Sequence, residues 1–299
     1  MEIRVLQYFL AVAREESISG AAEYLHLTQP TLSRQLKDLE DELGKQLLIR
    51  GNRKITLTEE GMLLRKRAEE IVNLVRKTES EVKYTDDIIT GDIYIGAGET
   101  ENLRPIIKTV KTLQEKFPGI CVHIVSGDSM DILEQINKGL LDFGVLLGNV
   151  NKETYQYIHL PMEDTWGVLM RKDDPLSEKN VITPQDLWDK PLLVSRQAFA
   201  RGDLAQWLKT DISKLQIAAT YNLIYNASLM VDEGMGYAFS LDQLVNTGGD
   251  SNLCFRPLSP TLTLGMDLVW KRYQVFSKAS ERFLEYVQKE VTLSAGNKT

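Results

Sequence analysis

Residues 17–43, SISGAAEYLHLTQPTLSRQLKDLEDEL, read as two short helices joined by a tight turn. Hydroxyls at Ser17 and Ser19 can cap the first helix, in which Ile18, Ala21, Ala22 and Leu25 fall at helical spacing. His26 and Leu27 form the break. Thr28 can cap the second helix, and Pro30 sits in its first turn, where a missing N–H costs nothing. Leu32, Leu36, Leu39 and Leu43 then step by four, three and four, which predicts one buried stripe. A rotation of about 100° per residue sets Pro30, Arg34, Lys37 and Asp41 on the opposite face, with Thr31 and Ser33 on its flanks.

That outer face is polarised. Its start carries Gln29, Thr31, Ser33, Arg34 and Lys37, all able to hydrogen-bond base edges or phosphates. Its end carries Asp38, Glu40, Asp41 and Glu42, which a duplex would repel. Such a helix is expected to enter a major groove by its first two turns. An ordinary helical hairpin with a solvated face would fit the same residues. The next stretch separates the two. After Gly44, KQLLIRGNRKITLTEEG holds two short β-type runs, 46–49 and 54–57, around a turn at 50–53. This predicts a hairpin wing whose basic residues Arg50, Arg53 and Lys54 reach the backbone or the minor groove.

The segment AAEYLHLTQPTLSRQLKDLEDELGKQLLIRGNRKITLTEEG resembles the signature of the LysR-type transcriptional regulators, winged helix-turn-helix proteins of bacteria. Leu48 stands where that family usually carries Phe, an exchange within a core. The resemblance implies Gln29, Pro30, Ser33 and Arg34 in the major groove and Arg53 at the wing.

Length and composition agree with a multi-domain soluble protein. The 299 residues are enough for two or three cores, and 43% apolar content is that of a globular chain. Apolar runs are too short to span a bilayer. The opening MEIRVLQYFLAVAREE has Glu2 and no small-residue cleavage site, so it reads as a first helix packing through Leu6, Phe9, Leu10 and Ala13, not as a secretory signal. A net charge of −7 argues against nucleic acid only if placement is ignored. Residues 1–58 hold eight bases and eight acids, the bases at the recognition helix and the wing. Binding therefore needs two or more copies to sum enough phosphate contacts. Cys121 and Cys254 sit in apolar, strand-like contexts and read as buried and inert. His26, His123 and His159 show no metal-ligand spacing, and no metal or cofactor is expected.

From Thr58 a helix is expected to about Thr85, with Leu64, Ala68, Ile71, Val75, Thr78 and Val82 forming a heptad seam between subunits. From Gly91 the pattern alternates. Strands are predicted over 92–96, 120–125 and 141–147, and helices over 103–117 and 130–138. Strands over 166–170, 192–195, 236–240 and 262–269 follow, with helices over 204–209, 227–233 and 277–291. This order predicts parallel sheets covered by helices, in two α/β lobes with crossings near 161–163 and 267–268 and a hinged cleft. GDIYIGAGE, LEQINKGLLDFGVLLG and LMVDEGMGYAFS resemble the inducer-binding region of the same family. That implies the fold of type 2 periplasmic binding proteins. The expected division is a DNA-binding domain at 1–58, a linker helix at 59–90, lobe I at 91–162 plus 268–299, and lobe II at 163–267.

Ligands of open α/β sheets sit beyond the carboxyl ends of the strands. Positions there include Glu99, Thr100 and Glu101 after the first strand, Asp128 and Ser129 after the second, Ser195 and Arg196 in the other lobe, and Phe239 near the hinge. By position, the resemblance favours Thr100, Ser129, Ser195 and Arg196 as effector contacts, with Phe239 beside them and Asn226 capping a nearby helix. Helix capping would equally explain the hydroxyls, and a surface ion pair Arg196. The acids Glu99, Glu101 and Asp128 disfavour an organic anion and leave a zwitterionic, cationic or neutral effector open. Gly96-Ala97-Gly98 lacks the third glycine of a dinucleotide fingerprint.

The expectation is a cytoplasmic regulator of transcription, not an enzyme, whose partners are promoter DNA, a small-molecule effector and further copies of itself. The resemblance implies a tetramer built as a dimer of dimers, acting with RNA polymerase. Two alternatives stand beside it. One is an enzyme on the α/β lobes fused to a DNA-binding module. The other is an architectural DNA binder whose lobes only oligomerise.

Overall fold

A computed structural model of the chain describes residues 1–51, 54–83, 89–148 and 151–296. It divides into two compact units, Met1–Lys83 and Tyr84–Thr299.

In the first unit, α1 (Ile3–Glu15), α2 (Ile18–Tyr24) and α3 (Gln29–Leu43) precede a hairpin of β1 (Leu48–Arg50) and β2 (Ile55–Leu57) and a long α4 (Glu59–Lys83). The caps lie where the hydroxyls predict. Ser17 Oγ accepts from Gly20 N at 3.2 Å, and Thr28 Oγ1 from Thr31 N at 3.4 Å. The turn between α2 and α3 is closed by His26 in the left-handed region, φ 55°. Phe9, Val12, Ala21, Leu32, Leu36 and Leu39 form the core. At roughly 2 kcal/mol for each large apolar side chain buried, this stripe is what holds α3 in place. Leu43 is not part of it and is exposed, because Gly44 takes a left-handed C-cap and turns the chain away. In α1, Leu6 and Phe9 are buried as expected, whereas Leu10 and Ala13 are only half-buried.

The hairpin pairs Leu48 with Leu57 and is pinned to α3. Glu40 Oε1 accepts from Leu47 N at 2.7 Å and Leu48 N at 3.0 Å. Thr58 caps α4 by accepting from Gly61 N at 3.0 Å. A Cβ on Gly61 would overlap the Leu47 carbonyl oxygen, so the hairpin needs glycine there to approach the helix. The predicted heptad seam divides differently. Ala68 and Val72, with Leu64, pack on Leu6 and Leu10 of α1. Ile71, Leu74 and Val82 are exposed, as are Met62 and Leu63. Thr85 lies outside the described residues.

The second unit contains β3 (Gly91–Ala97), α5 (Arg104–Lys116), β4 (Ile120–Ser126), α6 (Ser129–Asn137), β5 (Phe143–Leu147) and a 17-residue β6 (Tyr155–Arg171). Then come β7 (Pro191–Ser195), α7 (Arg196–Arg201), α8 (Asp203–Leu208), β8 (Gln216–Tyr221), α9 (Ile224–Asp232), β9 (Tyr237–Leu241), β10 (Leu253–Pro257), β11 (Thr263–Lys271) and α10 (Lys278–Gly296). The strand order is β4-β3-β5-β11-β6-β9-β7-β8, with β10 also on β6. β3 is parallel to β4 and β5, and β7 is parallel to β8 and β9. The two parallel sets are joined by antiparallel β6 and β11.

These two strands are the crossovers. Pro161, which has no N–H to donate, sits where the β6–β11 ladder shifts register, within the predicted 161–163 crossing. The return crossing lies at 263–265, earlier than the expected 267–268. Asp267 and Leu268 already pair with Leu146 and Val145 of β5 in lobe I. Lobe I packs Ile93, Ile95, Leu113, Leu268 and Phe283 around Phe143. Lobe II packs Val168, Leu192, Val194, Trp207 and Phe239. No helix of the described residues is long and apolar enough to cross a membrane.

Candidate DNA-reading face and effector crevice

Gln29, Pro30, Thr31, Arg34 and Lys37 are exposed along the start of α3, and Ser33 is half-buried beside them. The face is ordered by weak local contacts. Thr31 Oγ1 lies 2.7 Å from Thr28 Oγ1, and Ser19 Oγ donates to Gln29 Oε1 at 3.2 Å. Arg34 reaches Asp38 only at 4.0 Å and its side chain is 83% exposed, so the guanidinium remains available. Arg50 Nη2 donates to Ser33 Oγ at 3.4 Å, which brings the hairpin's base against the recognition helix. Lys54 is exposed, and its Nζ pairs with Glu16 Oε2 at 3.2 Å. Arg53 lies outside the described residues. Arg14 of α1 stacks over the exposed ring of Tyr24 at 4.0 Å. Of the acids at the end of α3, Glu40 is taken up by the hairpin amides, while Asp38, Asp41 and Glu42 face solvent.

In the second unit, a crevice of about 60 Å³ lies between the lobes. Gly98, Glu99, Gly127 and Asp128 line it from the strand ends of lobe I, and Ser195, Gln197, Asn222 and Ser240 from lobe II. Trp166 and Leu264 of the crossover strands contribute to its wall. Three contacts close it. Glu99 Oε2 accepts the Ile224 N–H at 3.1 Å, at the N-terminus of α9. Gln197 Oε1 accepts from Ser129 N at 3.3 Å, and its amide donates to Ser129 Oγ. Thr100 Oγ1 donates to Asp164 Oδ1 at 2.6 Å, and Asn102 Nδ2 donates to the same oxygen at 2.9 Å.

Asp164 is buried on β6, and burial pushes its carboxyl above the ordinary range despite those two donors. Its Oδ2 and the indole Nε1 of Trp166 have no hydrogen-bond partner among the described residues. A buried donor without a partner costs about 1–3 kcal/mol, so a ligand that offered Trp166 an acceptor would recover part of it.

The predicted contacts fare unevenly. Ser195 lines the crevice and caps α7 through Ala198 N at 3.5 Å. Ser129 is held by Gln197, and Thr100 by Asp164; Thr100 borders an adjoining groove with Ile124 and Tyr225, which shares Glu99 and Ile224 with the crevice. Arg196 is exposed and does not line the crevice. Phe239 is a core side chain, 1% exposed, whose carbonyl accepts from the Tyr221 hydroxyl. Asn226 lies inside α9 and caps nothing; Glu99 takes that place. Trp166 was missed, and Gln197, which lies in the loop at the strand end, was passed over in favour of Arg196. The loop 195–197 is legible, but charge draws attention to Arg196 when its neutral neighbour points inward.

The three acids separate as well. Glu101 leaves the mouth to pair with Arg104 Nε at 2.6 Å. Glu99 and Asp128 remain, the latter capping α6 through Met130 N and Asp131 N, each at 3.0 Å. Neither Lys, Arg nor His lines the crevice among the described residues. On the opposite edge of lobe I, Cys121 is exposed, contrary to expectation, while Cys254 is buried.

Two family models match. Residues 3–62 match the bacterial regulatory helix-turn-helix protein, lysR family, and residues 88–292 match the LysR substrate binding domain. Among relatives, the HTH-type transcriptional regulator BsdA of Bacillus subtilis is 32% identical over 68% of this chain and 69% of its own. The DNA-binding transcriptional dual regulator OxyR of Escherichia coli is 30% identical over 69% and 67%. The crystal structure of CbnR, a LysR family transcriptional regulator, superposes with a TM-score of 0.75 at 18% identity, covering 97% of this chain and 99% of that one. With a helix-turn-helix at one end and an inter-lobe crevice at the other, the chain belongs to the LysR family of DNA-binding transcriptional regulators with an effector-binding domain.

Proposed function

We propose that α3 reads promoter DNA in the major groove through Gln29, Pro30, Thr31, Ser33, Arg34 and Lys37, with Arg50, Arg53 and Lys54 on the backbone. The single observation behind this assignment is the exposed Arg34 guanidinium on the start of α3, with the acids confined to its other end. Electrophoretic binding to duplexes selected from a random pool tests it. Selection of an interrupted dyad supports it; binding without sequence preference rejects it.

The effector, on this reading, enters the inter-lobe crevice and carries no net negative charge. Among the described residues two carboxylates and no basic side chain line that crevice, which would repel an organic anion and accept an ammonium group. Ser195, Gln197 and Ser240 supply neutral polar contacts, and Ser129 and Thr100 act indirectly by holding the lobes together. Hydrogen bonds between Glu99 and Ile224 and between Gln197 and Ser129 cross the crevice, so a ligand that parts them must favour a more open arrangement over this one. A thermal-shift screen that sets amines and amino acids against carboxylates tests the class. Stabilisation by simple dicarboxylates alone would reject it.

The regulator works in the cytoplasm as a tetramer of two kinds of dimer, acting on transcription with RNA polymerase. The exposed apolar residues Ile71 and Leu74 of α4 support pairing between copies. Sedimentation of the full chain with Ile71→Lys tests that contact.

A further inference from the structure

The edge of lobe I carries a side-chain cluster that the effector crevice does not use. β4 is the outermost strand of its sheet and pairs only with β3 among the described residues. Cys121 and His123 lie two apart on β4, so both side chains leave the same face. The register sets Asp92 of β3 directly beside Cys121, and Tyr94 beside His123. One ligand-type atom from each of Asp92, Cys121 and His123 lies within 4.8 Å of the other two.

We propose that Asp92, Cys121 and His123 bind a borderline-soft divalent transition metal of the zinc class, with water in the remaining position. The donor set selects the ion. A thiolate and an imidazole favour zinc, cobalt or nickel over magnesium and calcium, which prefer oxygen alone. Tetrahedral zinc with ordinary bond lengths separates its ligand atoms by roughly 3.3–3.7 Å. His123 Nε2 and Asp92 Oδ1 are already 3.2 Å apart, and the thiol of the exposed Cys121 stands close enough that a small rotation would bring its sulfur to the two remaining edges.

The imidazole is also preset. Its ring stacks on Tyr94 at 4.6 Å between centroids, 13° from parallel, which aims Nε2 at the carboxylate. All three ligands stand on two hydrogen-bonded strands and not on loops, so little order remains to be imposed on binding. A His–Asp ion pair alone would need no cysteine. The thiol beside it makes the cluster a metal site, and it is the group that the test interrogates.

The test uses the reduced full chain, stripped by chelator and titrated with Zn2+ by calorimetry and with Co2+ by absorption. The expected result is one ion per chain, with a thiolate-to-cobalt charge-transfer band. Loss of an outer-shell group alone typically weakens a metal site about 10–100-fold, so Cys121→Ser and His123→Gln should each cost at least about tenfold. Cys121→Ser should abolish the charge-transfer band, and Cys254→Ser should preserve it. Metal-free melting temperatures establish that each variant folds. Absence of the band, equal binding of Mg2+, or Zn2+ affinity unchanged in both Cys121→Ser and His123→Gln would overturn the proposal.

Discussion

The carboxylate of Glu99, carried on lobe I, accepts the N–H of Ile224 at 3.1 Å across the crevice, at the start of α9 in lobe II. A helix N-terminus is a natural anion site, and here a side chain of the protein fills it. Such a charge at a partly buried terminus is worth up to about 2 kcal/mol. Glu99→Ala should therefore vacate the position and shift the crevice's preference by about tenfold toward small carboxylates. Thermal shift with acetate and with simple amines, compared between variant and parent, checks this. An unchanged preference would mean that Glu99 takes no part in selecting the ligand.

Arg34 is an exposed cation on the reading face of α3, and its contact with Asp38 at 4.0 Å is too long to matter for stability. Arg34→Ala should leave the melting temperature in place and weaken specific DNA binding by about 1–3 kcal/mol, the worth of a base contact. Preference at one base position should relax with it. Loss spread evenly over all sequences would assign Arg34 to phosphate instead.

Glu40 shows how an acid on a DNA-binding helix can serve the fold. Its Oε1 receives both Leu47 N and Leu48 N and so ties α3 to the hairpin backbone, beside the longer Arg50–Ser33 contact. Hydrogen bonds to a charged group contribute about 1.5–3 kcal/mol. Glu40→Ala should lower stability by that order and weaken DNA binding through a misplaced hairpin, although Glu40 itself is an acid the duplex would repel. Calorimetric melting and a binding titration on the same sample check both halves. Tighter DNA binding in Glu40→Ala would show that charge outweighs position.

Local periodicity carried most of the fold, and its failures have identifiable causes. Leu32, Leu36 and Leu39 are buried as their spacing requires, while Leu43 fails because the left-handed Gly44 ends the helix first. The strand β6 reads as a fragment over 166–170, since Pro161 and the acids at 163–164 look like a loop; they are where the ladder shifts between lobes. β8 escapes notice because QIAATY alternates through small alanines, and β10, though Cys254 reads as strand-like, gets no bounds because LCFRP ends on proline. β9 is buried from Ala238 to Leu241, so alternation cannot tell a core residue such as Phe239 from a lining one such as Ser240. Asp92 meets Cys121 and His123 only through strand register, which no spacing along the chain encodes.

Asp164 links the hinge to acidity. It lies on β6 opposite Leu264 of β11, 4% exposed, and holds Thr100 and Asn102 of lobe I through one carboxylate oxygen. Burial raises its pKa above the ordinary 3.8. As pH falls the folded chain therefore takes up this proton before the unfolded chain does. The stability it contributes is full below the unfolded value and is lost as pH rises through the raised folded value. Asp164→Asn removes the titration and keeps an oxygen for Thr100 and Asn102. The variant's melting temperature relative to the parent should thus rise steadily from about pH 4 upward and level off once the parent's Asp164 is ionised. Melting curves of both proteins across that range check it. Parallel curves would mean that the carboxylate is solvated in both states, and that Thr100 and Asn102 hold the hinge without regard to its charge.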